Sequence, residues 1–169
     1  VSHSVIDAGG RGAFCCQNGL ETMPANPRRH PARGRPTGFA LRAPIMFHDV
    51  DPAGTAYYPR LVDLCHQAFE AFFNARIGPA YSRVIASGTG FPTVHFEADF
   101  VQPIRHGDTI DVGVRVSEVG RTSITLVYEA RRGKTVLFKA KNVVVVVDLA
   151  TMSKKPLSVA MRRRFEAAS

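Results

Sequence analysis

The chain of 169 residues reads as an α+β domain in which one long central helix is wrapped by a curved antiparallel sheet of about five strands. Three observations predict it. One apolar strand precedes a single helical-period segment at 59–77, and alternating segments joined by glycine turns then run from 92 to 148. The helical segment is apolar around most of its circumference, so it has to bury nearly its whole surface. A sheet curled about it satisfies that demand.

Residues 1–38 come first, rich in glycine, proline and arginine and poor in periodic apolar positions. They cannot bury enough surface to offset the entropy of ordering, so a flexible basic tail is expected ahead of a folded domain at 39–169. No basic start followed by an apolar stretch marks a secretory signal, and Asp7 and Glu21 argue against an organellar transit peptide. Val1 stands where Met would; a non-ATG start and a trimmed sequence both account for it, and Met23 is an alternative start.

From Phe39 to Phe47 the pattern is that of a first strand. Pro59 or its neighbour opens the helix, and Gly78-Pro79 stops it near Ile77. Asp63, His66, Gln67 and Glu70 form its narrow polar stripe. After a loop holding Gly88 and Gly90, the segment 92–102 alternates, with Val94, Phe96, Ala98 and Phe100 on one side and Thr93, His95, Glu97 and Asp99 on the other. Gly107-Asp108 turns into a strand carrying Ile110, Val112, Val114 and Val116. Gly120 turns into one carrying Ile124, Leu126, Tyr128 and Ala130, and Gly133-Lys134 closes a hairpin onto a last strand at 135–148. Val143 to Val147 is apolar on both faces and should be covered on both. Pro156 to Ala168 suits a short helix anchored by Leu157, Met161 and Phe165.

Composition excludes several function classes. The longest apolar run, Val143 to Val147, is far short of the roughly 20 residues that cross a bilayer, so no membrane span is expected. The net charge of +8 sits mostly at the ends, in Arg28, Arg29, Arg33 and Arg35 and in Arg162, Arg163 and Arg164. No helix-turn-helix, RNP-like aromatic set or metal finger accompanies it, and nucleic-acid binding is not expected. Cys15, Cys16 and Cys65 match neither a disulfide framework nor a zinc site, which suits a reducing, cytoplasmic setting. The six histidines lack metal-ligand spacing, and no metal is expected.

The chemistry-bearing segment is Phe47-His48-Asp49-Val50-Asp51-Pro52-Ala53-Gly54-Thr55-Ala56-Tyr57-Tyr58-Pro59-Arg60. It places the Asp51 carboxylate in a constrained loop directly before a helix whose first N–H groups and dipole favour negative charge. Acyl transfer needs both parts: a group that attacks or activates water, and fixed donors for the developing oxyanion. The plainer alternative for Asp51 is a turn residue capping the helix.

Those residues, with Phe91-Pro92-Thr93, Gly107-Asp108 and Gly120-Arg121-Thr122-Ser123, resemble the 4-hydroxybenzoyl-CoA thioesterase family of hot-dog-fold acyl-CoA thioesterases across 39–147. The resemblance implies that Asp51 is the catalytic carboxylate and that the Tyr58 backbone N–H polarises the thioester carbonyl. It implies hydrolysis of an acyl or aroyl thioester, 4-hydroxybenzoyl-CoA-like, to free acid and coenzyme A. No cofactor is implied beyond the coenzyme A of the substrate. It also implies a homodimer or dimer of dimers, a homotetramer, with the acyl groove at the subunit interface. Where the best-known member has a basic cluster before the third strand, this chain keeps Arg121 alone. A basic residue of the last strand is replaced by Val144, and a supporting acid of the helix by His66.

Residues expected at the substrate are His48, His66, Phe91, Arg121 and Ser123. His48 suits proton transfer or the groove wall, although His48 with Asp49 also reads as a solvated strand end. Phe91 would shape an apolar acyl pocket, and Ser123 would bond pantetheine or end a turn. Arg121, Arg131, Arg132 and Lys134, at hairpin ends, suit a phosphate clamp or plain surface charge. Two other functions fit the same chain. One is a hot-dog enoyl-CoA hydratase or dehydratase acting through His66 and Glu70, spaced i and i+4; the other is a non-enzymatic acyl-CoA-binding module.

Overall fold

Alternation of apolar and polar residues builds the sheet. In β4 (Thr109–Val119) the residues Ile110, Val112, Val114 and Val116 are buried; in β5 (Ser123–Arg132) so are Ile124, Leu126, Tyr128 and Ala130. In β6 (Thr135–Val145) the buried set is Phe138, Ala140, Asn142 and Val144, together with Leu137 and Val145. With β1 (Phe39–Pro44) and β3 (Thr93–Phe100) these form one antiparallel sheet in the order β1-β4-β5-β6-β3. The structure, a computed structural model, describes residues 38–169. The expected basic tail therefore lies outside the described residues apart from Gly38. Gly133 and Lys134 form the two-residue turn between the paired Arg132 and Thr135, and Gly133 supplies the positive φ of 61° that such a turn needs.

The long helix packs across this sheet. α1 (Tyr58–Phe72) carries Pro59 in its first turn and runs straight into one π turn, Phe73–Ile77, before Gly78 takes a φ of 37° and the chain leaves. Leu61, Leu64, Cys65, Ala68, Phe69 and Phe72 are buried, chiefly over β1 and β4. The expected enclosure of the helix is only partial within the chain. Asp63, His66 and Gln67 are exposed and Glu70 is half-buried, because a polar stripe without buried partners stays in water.

Other departures have local causes. The first strand stops at Pro44 rather than Phe47, because Met46 N–H is captured at 2.8 Å by the Asp49 carboxylate and the chain coils into a 3-10 turn at Phe47–Asp49. The loop expected after Pro79 contains a short helix, α2 (Tyr81–Ala86), tied to α1's end by Tyr81 N–H donating to Asn74 Oδ1 at 2.7 Å. Two short strands, β2 (Thr89–Gly90) and β7 (Val147–Asp148), pair with one another, so the last strand ends at Val145 and then changes partner. In β3 the apolar side is only half covered: Phe96 and Ala98 pack on the core, whereas Val94 and Phe100 are more than half exposed. β3 is an edge strand, and α1 lies toward the opposite edge.

The C-terminal helix α3 (Val159–Ala167) is capped by Ser158, whose Oγ accepts from Met161 N–H at 3.3 Å. Phe165 is fully buried against Phe73, with ring centroids 5.9 Å apart. Arg162 donates to Gly120 O at 2.6 Å and Arg164 to Ile77 O at 2.7 Å, at the end of the π turn. Two of the three C-terminal arginines thus satisfy main-chain carbonyls that would otherwise lack donors. Among the described residues no helix is long and apolar enough to cross a membrane.

Candidate active site

Asp49 and Asp51, two residues apart, have opposite surroundings. Asp49 is buried: Oδ2 accepts from Met46 N–H at 2.8 Å, Oδ1 accepts from Arg60 Nε at 2.9 Å, and His48 Nε2 lies 3.3 Å from Oδ1. Its main-chain oxygen accepts from Tyr57 N–H at 2.8 Å. Burial acts to raise the Asp49 pKa, but the Met46 and Arg60 hydrogen bonds and the His48 and Arg60 charges outweigh it and hold the carboxyl below its usual value. The expectation that His48 and Asp49 form a solvated strand end is therefore corrected: His48 is exposed, while Asp49 is the anchor between loop and helix.

Asp51 sits at the tip of that loop. Its N–H donates to Thr55 O at 2.9 Å, its carbonyl accepts from Gly54 N–H at 2.9 Å, and its Oδ1 accepts from Ala53 N–H at 2.9 Å. Gly54 takes a φ of 75° to close the turn. A bridge between Val50 and Ala56 and one between Thr55 and Arg105 pin the loop to the chain ahead of β4, with Ala56 N–H donating to Ile104 O at 2.7 Å. Only one carboxylate oxygen is used in this way. Oδ2 has no protein partner among the described residues, and the residue is half-buried.

The same folded segment delivers the helix start. Tyr58 is the first residue of α1, and its N–H has no acceptor among the described residues, as expected at a helix N-terminus. The Tyr57 and Tyr58 rings meet edge to face at 5.5 Å, and with Met46 and Phe47 they form an exposed apolar rim around the loop. Phe47 is 80% exposed and its ring meets that of His106. A carboxylate with a spare oxygen, a free amide at a helix start and an apolar rim thus converge on one short loop. That combination suits attack on an activated carbonyl.

The remaining expected site residues are dispersed. His66 and Glu70 pair at 3.0 Å on the outward stripe of α1, with the His66 ring beside Phe69 and Tyr81. Phe91 is buried in an aromatic cluster with Phe69, Phe73 and Tyr81, at centroid distances of 6.3, 5.4 and 5.9 Å. Arg121 is exposed in the β4–β5 turn, where its carbonyl accepts from Leu157 N–H at 3.1 Å, and Ser123 O accepts from Gly120 N–H at 2.9 Å. The four basic residues do not cluster: Arg121 precedes β5, whereas Arg131, Arg132 and Lys134 lie at its far end. Arg131 there pairs with Glu129, and Arg132 with Asp108.

A hollow of about 620 Å³ opens elsewhere, among the charged side chains Glu97, Asp99, Arg115, Glu129, Lys139 and Lys141, and neither Asp51 nor Tyr58 lines it. Burial pushes the Cys65 thiol up to about 12, which leaves it un-ionised and inert in the core. Asp49 and Arg60 were missed as a functional pair by sequence reading; the available signal was an arginine in the first turn of the helix, where a cation is unfavourable unless a nearby acid holds it.

Comparison with known proteins places this arrangement. The profile of the thioesterase-like superfamily matches residues 45–165. The 1,4-dihydroxy-2-naphthoyl-CoA hydrolase of Nostoc punctiforme is 27% identical over 119 residues, covering 70% of this chain and 80% of its own length. That of Rippkaea orientalis is 30% identical over 117 residues, covering 68% and 85%. The crystal structure of a 1,4-dihydroxy-2-naphthoyl-CoA thioesterase from Synechocystis shares the fold, with a TM-score of 0.69 at 23% identity over 75% of this chain and 94% of that one. The long helix on a five-stranded antiparallel sheet is the hot-dog arrangement expected from the sequence.

Proposed function

Because the chain belongs to the thioesterase-like superfamily, we propose that it is an acyl-CoA thioesterase that hydrolyses an aroyl-CoA, with Asp51 as its catalytic carboxylate and the Tyr58 N–H as its oxyanion donor. The observation that carries this reading is the loop itself: Asp51 keeps one carboxylate oxygen uncommitted on the same short segment that ends in the unpaired amide opening α1. The naming of relatives as hydrolases of a naphthoyl-CoA supports the aroyl class.

Two routes lead to the same products. Asp51 attacks the thioester carbonyl carbon, expels the coenzyme A thiolate and forms an acyl-carboxylate anhydride that water then cleaves. In the other route, Asp51 takes a proton from water as the water attacks, and the proton passes to the leaving sulfur. Either way one water is consumed, and a free acid and coenzyme A thiol are released. The chemistry calls on no metal or redox cofactor, since coenzyme A enters and leaves as part of the substrate. The reading includes a homodimer or dimer of dimers, in which the half-covered edge strand β3 and the exposed rim at Phe47 and Tyr58 acquire neighbours, and a cytoplasmic setting, which the buried reduced thiol of Cys65 suits.

In this assignment His48 orients near Asp49, Arg121 offers a cation toward the nucleotide, Ser123 and His66 line the approach, and Phe91 backs the acyl pocket. The test is thiol release from a panel of aroyl- and alkanoyl-CoA esters by the purified protein, run beside crotonyl-CoA hydration. Hydrolysis of aroyl esters without hydration is the expected result. Hydration without thiol release would replace this reading with a hydratase acting through His66 and Glu70.

A further inference from the structure

Among the described residues, two polar atoms inside the core have no protein partner: the Tyr128 hydroxyl oxygen and the Asn142 side-chain oxygen. Tyr128 is 2% and Asn142 9% exposed. Buried groups of this kind are normally satisfied, and an orphaned one calls for an explanation such as a missing water or ligand. The two lie on adjacent strands facing the same way. Tyr128 is opposite Ala140 and Asn142 is opposite Leu126, so they are diagonal neighbours across β5 and β6 on the helix side of the sheet.

The register shows what lies beside them. Continuing across the sheet, Ala140 is opposite Ala98 and Asn142 is opposite Phe96, while Phe138 is opposite Phe100. Ala140 and Ala98, two small side chains, lie side by side, with Phe138 and Phe100 on one side of them and Asn142 and Phe96 on the other. Tyr128 flanks this row on the β5 side, opposite Ala140, and β3 forms its outer edge, where Ala98 and Phe96 are half-buried and Phe100 is exposed. α1 contributes Cys65 above Tyr128, seven residues beyond Tyr58 and hence about 10 Å along the helix axis from its first residue. Burial and Cys65 push the Tyr128 phenol upward, and the Asn142 side chain opposes them without reaching hydrogen-bond geometry. At neutral pH the phenol is therefore an un-ionised donor.

We propose that Tyr128 and Asn142 are specificity-determining residues, the polar end of an acyl slot floored by Ala140 and Ala98, and that they hydrogen-bond a hydroxyl carried by the aroyl group of the thioester. The inference rests on the aroyl-CoA thioesterase reading and deepens it. A hydroxyl can donate to Asn142 Oδ1 while accepting from the Tyr128 O–H, so one substituent satisfies both orphaned atoms. An aroyl group lacking it would leave them unpaired, which is the physical basis of strong discrimination by a polar pocket.

The experiment compares benzoyl-CoA with 4-hydroxybenzoyl-CoA, and 2-naphthoyl-CoA with its ring-hydroxylated counterparts, in wild type, Tyr128→Phe and Asn142→Leu. Wild type is expected to favour a hydroxylated ester by tenfold or more in kcat/KM. Each variant should bring that ratio to within about threefold of unity by slowing the hydroxylated ester alone. No preference in wild type overturns the proposal, and so does a parallel fall for both members of a pair, which would mark a water-bridged structural pair. If wild type releases no thiol from any ester, the thioesterase reading itself fails, an outcome separable from the others. Melting curves establish that the variants fold; Tyr128→Phe removes one oxygen only and carries the test if Asn142→Leu does not fold.

Discussion

Arg60 Nε lies 2.9 Å from Asp49 Oδ1, which ties the first turn of α1 to the loop that holds Asp51. The pair closes a short stretch of chain and compensates a cation at a helix N-terminus, where the dipole opposes it. Replacing Asp49 with Ala leaves Met46 N–H and Arg60 without their acceptor. A loss of about 1–2 kcal/mol is expected, taken from the lower part of the range for such bonds because Arg60 is partly solvated. Urea unfolding should show a lower midpoint with an unchanged slope.

The same carboxylate gives acid sensitivity. Its folded pKa lies below the ordinary aspartate value of 3.8, so the ionised form is the one that folding favours. The stabilisation is therefore complete above the unfolded pKa and is lost as pH falls below about 4 through the folded value. Melting temperature measured from pH 6 down to pH 3 should fall more steeply for wild type than for Asp49→Asn, whose neutral amide has nothing to protonate. Parallel curves would show that Asp49 does not contribute to the acid limb.

The residues that made the fold legible were those whose environment repeats along the chain. Ile110, Val112, Val114 and Val116 declare a strand through period-two spacing alone, and all four are buried. The helix start at Pro59 and stop at Gly78 were readable for the same reason, since each acts on its own backbone. Asp49 was not readable, because its burial depends on Arg60 across a turn and on Met46 being drawn back toward it. α2 escaped because Tyr81–Ala86 is too short to show a period and is held by Asn74 and three aromatic rings. The Asp51 loop could be located from its residues, whereas the split between one anchored and one uncommitted carboxylate required the tertiary hydrogen bonds.

Asp51→Asn separates chemistry from shape. The amide oxygen can still accept from Ala53 N–H, so the turn and the melting temperature should be preserved within about 2 °C of wild type, as for a substitution costing under roughly 0.5 kcal/mol. The lost carboxylate should lower kcat for aroyl-CoA by about 10²–10⁴-fold, the range for a positioned base. Thiol release at the wild-type rate would remove Asp51 from the reaction.

His66 and Glu70 lie 3.0 Å apart on the outward side of α1, both substantially exposed. An i,i+4 pair of this kind is worth only about 0.3–0.5 kcal/mol. Glu70→Gln should therefore leave the melting temperature almost unchanged and should alter kcat for thioester hydrolysis by less than about threefold, under 1 kcal/mol of barrier. Steady-state kinetics on one aroyl-CoA checks this; a hundredfold loss of kcat would place the pair in the catalytic machinery after all.

Phe91 is the expected pocket residue whose surroundings most favour a packing role. It is 7% exposed, and the rings of Phe69, Phe73 and Tyr81 pack around it at 6.3, 5.4 and 5.9 Å. Truncating such a ring removes its buried area and leaves a cavity that the neighbouring rings fill only in part. Phe91→Ala is expected to cost about 3–5 kcal/mol by denaturant unfolding, whatever substrate is present. Phe91→Leu keeps most of the volume and should be tolerated at under about 2 kcal/mol, within the usual cost of volume-conserving swaps plus a lost aromatic contact. If Phe91 also backs the acyl group, the Leu variant shifts KM between aroyl and alkanoyl esters at constant kcat, because an apolar wall binds ground state and transition state alike. Unchanged KM values for both ester classes would confine it to the core.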